Sequence, residues 1–379
     1  MTDFLPFTRP TIDEATINDV VAVLRSGWIA SGPKVQQLES DLARYVGNDS
    51  QVRVMTSATG GLEIALRALG VGPGDEVVVP AMSFAASANV VVRVGATPVF
   101  ADVELRSRNV TAEAISEVLT KKTRALMPVH FGGLSADMDS INTLAKTHQL
   151  RVLEDAAHAI GTRYKDRLIG SFGDIACFSF HPNKNVTTIE GGALVYRDPN
   201  LTLAIEHERF HGISKDAAGN VDVVEAGGKY NLTDVAAAVG IGQLRMLDQF
   251  NARRRELVQH YFTRLAERLD PQMLPLTSDD GHSWHVFAVL LPFTRLPFTR
   301  DQFVQKMKEQ HIGIGIHYPC IPGLSYYRQL GFDPAAYPNA QRIGAETVTL
   351  PLFPAMTTMD VDRVCDALLA LIQPQKGIV

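Results

Sequence analysis

The chain is 379 residues long, 46% hydrophobic and 20% charged, enough apolar material for a core larger than one small domain needs. Its formal net charge of -5 comes from 36 basic and 41 acidic residues mixed along the sequence without a basic run, so neither a nucleic-acid backbone nor an anionic membrane suits it as a partner, and a small molecule is expected. The start, MTDFLPFTRP, has no basic or apolar leader and no apolar run is long enough to span a bilayer, so a cytoplasmic protein is expected.

In chain order, 51–197 alternates short β-branched runs (QVRVMT, EVVVP, TPVFADV, RALMPVHF, RVLEDAA, DIACFSF, GALVYR) with helical patterns over 62–69, 85–94, 112–119 and 139–148. This pattern predicts an α/β fold with a mainly parallel central sheet, helices on both faces, and ligands at the carboxyl ends of the strands. Past Leu201 long helical patterns take over, and LTDVAAAVGIGQLRMLDQF runs on into NARRRELVQHYFTRLAERL. The polar, Gly-rich stretch 214–228 is expected to be a mobile loop. From about Pro271 a smaller α+β segment follows, with strand-like WHVFAVLL, a helix over 300–310, strand-like GIGIHY and a closing helix over 359–372. Two units are therefore expected: 1–250, which binds the ligand, and 251–379, which begins in a linking helix. The pentapeptide LPFTR, tandem at 291–300 and present once more at 5–9, is too short a unit for a solenoid and reads as a strand end running into a loop. Three widely spaced cysteines, Cys177, Cys320 and Cys365, suggest reduced packing residues, and no metal site is expected.

The glycine-rich dinucleotide fingerprint, the P-loop and the nucleophile elbow are absent from the sequence. Three other constellations could carry chemistry. In TSATGGLEIALRAL a strand ends and a helix begins, so Thr59 and Gly60 could offer donors to a phosphate; a plain N-capped helix would look the same. In RVLEDAAHAIG the strand ends on Glu154 and Asp155; a carboxylate there could pair with a protonated pyridine nitrogen, or simply cap the next helix. His158 would face the same pocket or serve as a hydrogen-bonded structural residue. In FSFHPNKNVTTIEGG the strand ends near Ser179 and Pro182 stops the ladder. Lys184 then sits on a turn where partial desolvation would make its amine nucleophilic towards an aldehyde, the alternative being a solvated turn lysine. Together the three supply the attachments that pyridoxal 5'-phosphate needs: phosphate, ring nitrogen and aldehyde.

At these residues the chain resembles the DegT/DnrJ/EryC1/StrS sugar-nucleotide aminotransferases, which have the fold type I architecture of pyridoxal-phosphate enzymes. The likeness runs nearly end to end, through SGWIASGPKVQQLE, SATGGLEIALRALGVGPGDEVVVP, PVHFGGLSADMD, EDAAHAIGT, FSFHPNKNVTTIEGG, GGKYNLTDVAAAVGIGQL, IHYPCIPG and LPLFPAMT. The resemblance implies that Lys184 bonds the cofactor aldehyde, Asp155 meets the ring nitrogen, and His158 lies beside the ring. It further implies that Phe84 stacks on the cofactor, that Thr59, Gly60 and Ser179 bind its phosphate, and that Asn231 reaches the phosphate from a neighbouring subunit, which means a homodimer with shared sites. Trp28, Lys34, Lys229, His317 and Tyr318 are the implied substrate contacts, a packed strand-end residue being the alternative for His317, and Arg209 is a candidate for holding an anionic group or for a surface salt bridge.

The implied reaction moves an amino group from L-glutamate, released as 2-oxoglutarate, to a nucleotide-linked 4-keto sugar in a ping-pong cycle. FLPFTRP, SGWI, EDAAHAIGT, KYNL, NARR and HSWHVF are most similar to the UDP-4-amino-4-deoxy-L-arabinose aminotransferases of lipid A modification, with Phe84 where that group usually has Trp. Two rival readings are a pyridoxal-phosphate sugar dehydratase, which in this family carries His in place of the lysine, and a non-catalytic sensor of a sugar nucleotide or of the cofactor.

Overall fold

The computed structural model describes residues 3–47, 49–276 and 281–372. Seven strands form its central sheet: β1 (Gln51–Met55), β2 (Glu76–Pro80), β3 (Thr97–Ala101), β4 (Thr123–Leu126), β5 (Arg151–Asp155), β6 (Ile175–Ser179) and β7 (Gly192–Tyr196). Their spatial order is β1-β7-β6-β5-β4-β2-β3. Every pairing from β6 to β3 is parallel, while β7 is antiparallel to both β6 and β1. Six strands thus share one direction and β7 alone runs back, so the β6–β7 connection turns at the same carboxyl edge where β1 and β5 end.

The strands are apolar because both faces are covered. Val77 and Val79 of β2 pack with Leu62, Leu66 and Val90 on one face, whereas Val78 packs with Leu38, Leu126 and Met138 on the other. Helices Ala58–Ala68 and Ala86–Arg93 cover the first face; Pro33–Val46 and Met138–His148 cover the second.

The two helical patterns after Leu232 form one continuous helix, Asp234–Leu265, 32 residues and about 48 Å long. Residue 250, the expected end of the first unit, lies in its middle. Ala237 and Leu247 of this helix join the sheet's second-face core, and Leu257, Tyr261 and Leu265 join a third core with Phe287, Phe303, Val364 and Leu5. That third core is organised by an antiparallel pair, Phe287–Leu290 with Thr347–Leu350, and by helices Arg300–Glu309 and Thr358–Ile372.

Two sequence expectations change. The stretch read as strand-like GIGIHY makes only an isolated bridge, Gly315 with Thr349, and no strand. The stretch expected as a loop over 214–228 contains all but the first residue of a short hairpin, Ile213–Lys215 paired with Val221–Val223, because its Val-Asp-Val alternation supplies β-prone residues. Cys177, Cys320 and Cys365 are buried and free. No helix among the described residues is long and apolar enough to cross a membrane.

Candidate active site

Lys184 sits in the β6–β7 connection, on a turn closed by its own N–H donating to the His181 carbonyl at 2.9 Å. Backbone bonds from Phe180 to Gly191 (2.9 Å) and from Thr188 to Phe180 (3.0 Å) tie the base of the loop together. Asn185 pins the turn from below: its amide donates to Asn251 Oδ1 at 2.8 Å and to the Ser283 carbonyl at 2.9 Å, and its oxygen lies 3.2 Å from His285 Nδ1. A carbonyl oxygen only accepts, so His285 carries its proton on Nδ1. The lysine side chain is half-buried, and burial pushes its amine down to about 8 against the opposing field of Asp155. It is therefore not an ordinary solvated turn lysine.

Asp155 ends β5 and is buried. Its carboxylate accepts from Ser87 Oγ at 2.7 Å and from the Ala157 N–H at 3.2 Å. Burial pushes its carboxyl upward, opposed by those two donors and by Lys184. No helix begins after it, which removes the helix-cap alternative. Glu154, one residue earlier, points to the other face, where it accepts from the Gly173 N–H at 2.6 Å and faces His130 Nε2 at 3.1 Å.

His158 is buried, and its Nδ1 accepts the Gly132 N–H at 3.2 Å. The remaining proton is then on Nε2, which lies 3.1 Å from the Tyr318 hydroxyl, so the imidazole donates and the phenol accepts. Burial, together with Lys184 and His317, holds His158 neutral, well below its ordinary range. His317, beside Tyr318, is lowered to about 3 by burial first and by Lys184 second; its Nδ1 lies 2.9 Å from Thr349 Oγ1.

Helix Ala58–Ala68 starts at the end of β1, with Ser57 as its cap. The Ser57 hydroxyl accepts the Gly60 N–H at 3.0 Å, so the plain-cap alternative holds for Gly60. Among the described residues, neither the N–H nor the hydroxyl of Thr59 has a partner, and Thr59 is exposed towards the cavity at the positive end of the helix. The cup is tight from behind: a Cβ on Gly192 would lie 2.6 Å from the Ala58 nitrogen.

These elements meet in one cavity of about 310 Å³ lined by Thr59, Phe84, Asp155, His158, Ser179 and Lys184, with His317 and Tyr318 contributed from the chain beyond the long helix. Phe84 is 58% exposed at the wall, its ring 5.7 Å from that of Tyr318. Trp28, Lys34, Lys229 and Asn231 lie outside the cavity. Asn231 donates to Ser31 Oγ and accepts from Lys229 Nζ, and Asp234 caps the neighbouring helix by accepting from Gly32, Lys34 and Val35. Arg209 is tied into a different network, donating to Glu39, Glu206 and the Val54 carbonyl. Ser57, Ser87, Asn185 and His285 were not apparent from the sequence as site residues. Ser57 carried a local signal, a serine immediately before the helix; the other three act only through tertiary contacts.

Residues 10–369 match the profile of the DegT/DnrJ/EryC1/StrS aminotransferases. The chain belongs to that family. Its fold is similar to that of Streptomyces venezuelae DesV, solved in complex with a ketimine intermediate, at 32% identity and a TM-score of 0.90 over 99% of this chain and 100% of that one. Spr1654 from Streptococcus pneumoniae, named as a candidate sugar aminotransferase and solved in its pyridoxamine-phosphate form, is 31% identical with a TM-score of 0.91 and 98% of each chain covered. Helicobacter pylori PseC, an aminotransferase involved in the biosynthesis of pseudoaminic acid, is 25% identical with a TM-score of 0.90 over 98% of this chain and 100% of that one. This member is thus a sugar aminotransferase of the pyridoxal-phosphate-dependent kind.

The donor set of the cavity fits that cofactor. Lys184 offers an amine lowered to about 8 by burial, and the Thr59 donors at a helix start suit a phosphate. Asp155 is a buried carboxyl with no salt-bridge partner among the described residues, the complement of a protonated pyridine N–H.

Proposed function

We propose that the protein transfers the amino group of L-glutamate to a nucleotide-linked 4-keto sugar, with Lys184 as the exchanging amine. The observation that carries this reading is the convergence of Lys184, Asp155 and the Thr59 cup on one cavity in a chain of this family. When bound, pyridoxal phosphate supplies an electron sink for the carbon that gains or loses its proton. Asp155 would hold the ring nitrogen protonated, Thr59 and Ser179 would hold the phosphate, and Phe84 and His158 would lie beside the ring. Once free, the Lys184 amine takes a proton from the reacting carbon and returns it, a role suited to a group whose pKa is about 8. Lysine at this position, rather than histidine, favours amino transfer over dehydration.

The large unit, 1–250, holds the cofactor, and the smaller, 251–379, closes over it with His317 and Tyr318. Trp28, Lys34, Lys229 and Asn231 lie outside their own chain's cavity, Asn231 bonded to Lys229 and Ser31, and we assign them to the cavity of a second copy in a homodimer with shared sites. The acceptor class follows the resemblance to the sugar-nucleotide aminotransferases and the likeness to a sugar aminotransferase such as Spr1654, and a UDP-4-keto-pentose destined for lipid A or another lipopolysaccharide sugar is the first substrate to test. The test is incubation of the reconstituted enzyme with 15N-labelled glutamate and a panel of UDP- and dTDP-linked keto sugars. Transfer of the label to a sugar nucleotide, seen by mass, supports the reading. Label that stays on glutamate with every acceptor, or a dehydrated sugar, overturns it.

A further inference from the structure

We propose that the amino-terminal segment 3–9 straps down one wall of the cavity, with Phe7 as the positioning residue for His317 and, through it, for Tyr318. The effect on turnover rests on the reading above, in which that cavity receives the acceptor sugar. The segment carries the copy of LPFTR that stands apart from the tandem at 291–300. In the tandem, Phe293 and Phe298 pack beside Phe303 in the third core, ring centroids 5.9 and 6.1 Å away. The first copy is placed differently: Leu5 joins the third core, while Phe7 packs against the first-face core of the sheet.

Two anchors hold Phe7 between them. On one side Leu5 bridges Ile312, its N–H donating to the His311 carbonyl and its carbonyl accepting from Gly313, both at 2.9 Å. On the other, the Thr11 carbonyl accepts from Gln243 of the long helix at 2.7 Å, and Asp13 caps the helix Glu14–Ser26. The Phe7 carbonyl itself accepts from the Leu352 N–H at 3.3 Å. This close approach also gives the glycines of GIGIHY a reason. A Cβ on Gly313 would lie 2.8 Å from the Phe7 nitrogen, and one on Gly315 would lie 3.0 Å from Phe7 Cε2 and 2.9 Å from His317 Cε1.

The Phe7 ring lies 5.1 Å from that of His317, tilted by 31°. Phe7 does not line the cavity, whereas His317 and Tyr318 do, so it acts on the site through them. His317 is otherwise held by Thr349 Oγ1, 2.9 Å from its Nδ1, and its ring stands 4.7 Å from that of Tyr318. Removing the Phe7 ring leaves a gap behind His317 into which the imidazole can turn, because close-packed neighbours close such gaps only in part.

The experiment compares wild type with Phe7→Ala, Phe7→Leu and Phe298→Ala, the last removing the same, equally half-buried side chain from another copy of the pentapeptide. Carbethoxylation of His317 in the apo protein, mapped by peptide mass spectrometry against the exposed His148, reads the freedom of the ring without cofactor or substrate. We expect Phe7→Ala to raise the His317 rate about fivefold or more, Phe7→Leu to refill the slot and return it towards wild type, and Phe298→Ala to leave it unchanged. In the same Phe7→Ala protein, kcat/KM for the acceptor should fall about tenfold while pyridoxal-phosphate affinity stays within twofold. An unchanged His317 rate in Phe7→Ala overturns the proposal. So does an equal rise in Phe298→Ala, which would mean general loosening, or an unchanged kcat/KM. A wild type that aminates no acceptor would count against the proposed reaction, and the labelling would still decide whether Phe7 holds His317.

Discussion

His158 Nε2 donates to the Tyr318 hydroxyl, 160 residues away in sequence, across 3.1 Å. Because the phenol oxygen is the acceptor, its own proton is left for a partner in the cavity. Tyr318→Phe should therefore lower kcat/KM by about tenfold, the cost of one buried hydrogen bond, while leaving cofactor affinity nearly unchanged. A variant with wild-type kinetics would show that the hydroxyl only packs.

The depressed Lys184 pKa sets the pH dependence of cofactor capture. The neutral amine is the nucleophile, so the rate of pyridoxal-phosphate loading should rise with pH and level off above about 8. Asp155 opposes the depression. Asp155→Asn should thus shift the rise to lower pH while reducing turnover, and stopped-flow absorbance at a series of pH values reads both. A shift to higher pH would contradict the assigned field.

Four buried histidines, His158, His282, His285 and His317, are held below their ordinary pKa, chiefly by burial. Each binds a proton more readily unfolded than folded once the pH drops below about 6.5, so their contribution is complete above that pH and is lost as pH falls towards their folded values. The loss is up to about 1.4 kcal/mol per pH unit for each. Urea unfolding of the apo protein at pH 7.5 and 5.5 should show a steep drop, and His285→Asn should flatten it; equal stability at the two pH values would rule this out.

Gly192 lets β7 start against the helix that forms the phosphate cup. A Cβ there would lie 2.6 Å from the Ala58 nitrogen and 2.8 Å from the Phe178 carbonyl oxygen, both backbone atoms that cannot swing aside. Gly192→Ala should cost about 1–3 kcal/mol and weaken cofactor binding in the same step. Calorimetry with and without pyridoxal phosphate measures both, and a variant with unchanged stability and affinity would show that the cup adapts.

The strands of the sheet were legible because both of their faces are buried, which leaves β-branched runs between turn signals. The direction of β7 was not, since the five apolar residues of Gly192–Tyr196 carry no polarity. Yet that reversal returns the Lys184 loop to the carboxyl edge. Lys184, Asp155 and Thr59 could be named because each sits at a strand end with a local signature. Their supports could not: Ser87 reaches Asp155 from 68 residues away and His285 reaches Asn185 from 100. Gly60 shows the opposite failure, a local signal for a free donor that the neighbouring Ser57 hydroxyl already occupies. The GIGIHY stretch alternates like a strand, but beyond the Gly315 bridge to Thr349 the chain turns away towards the cavity.

The most direct test of the central claim is to load the purified protein with pyridoxal phosphate, reduce it with borohydride so that any lysine–cofactor bond becomes permanent, and map the label by peptide mass spectrometry. The account predicts the label on Lys184, and its loss if L-glutamate is added before reduction. A label on another lysine, or one that glutamate does not displace, would contradict it.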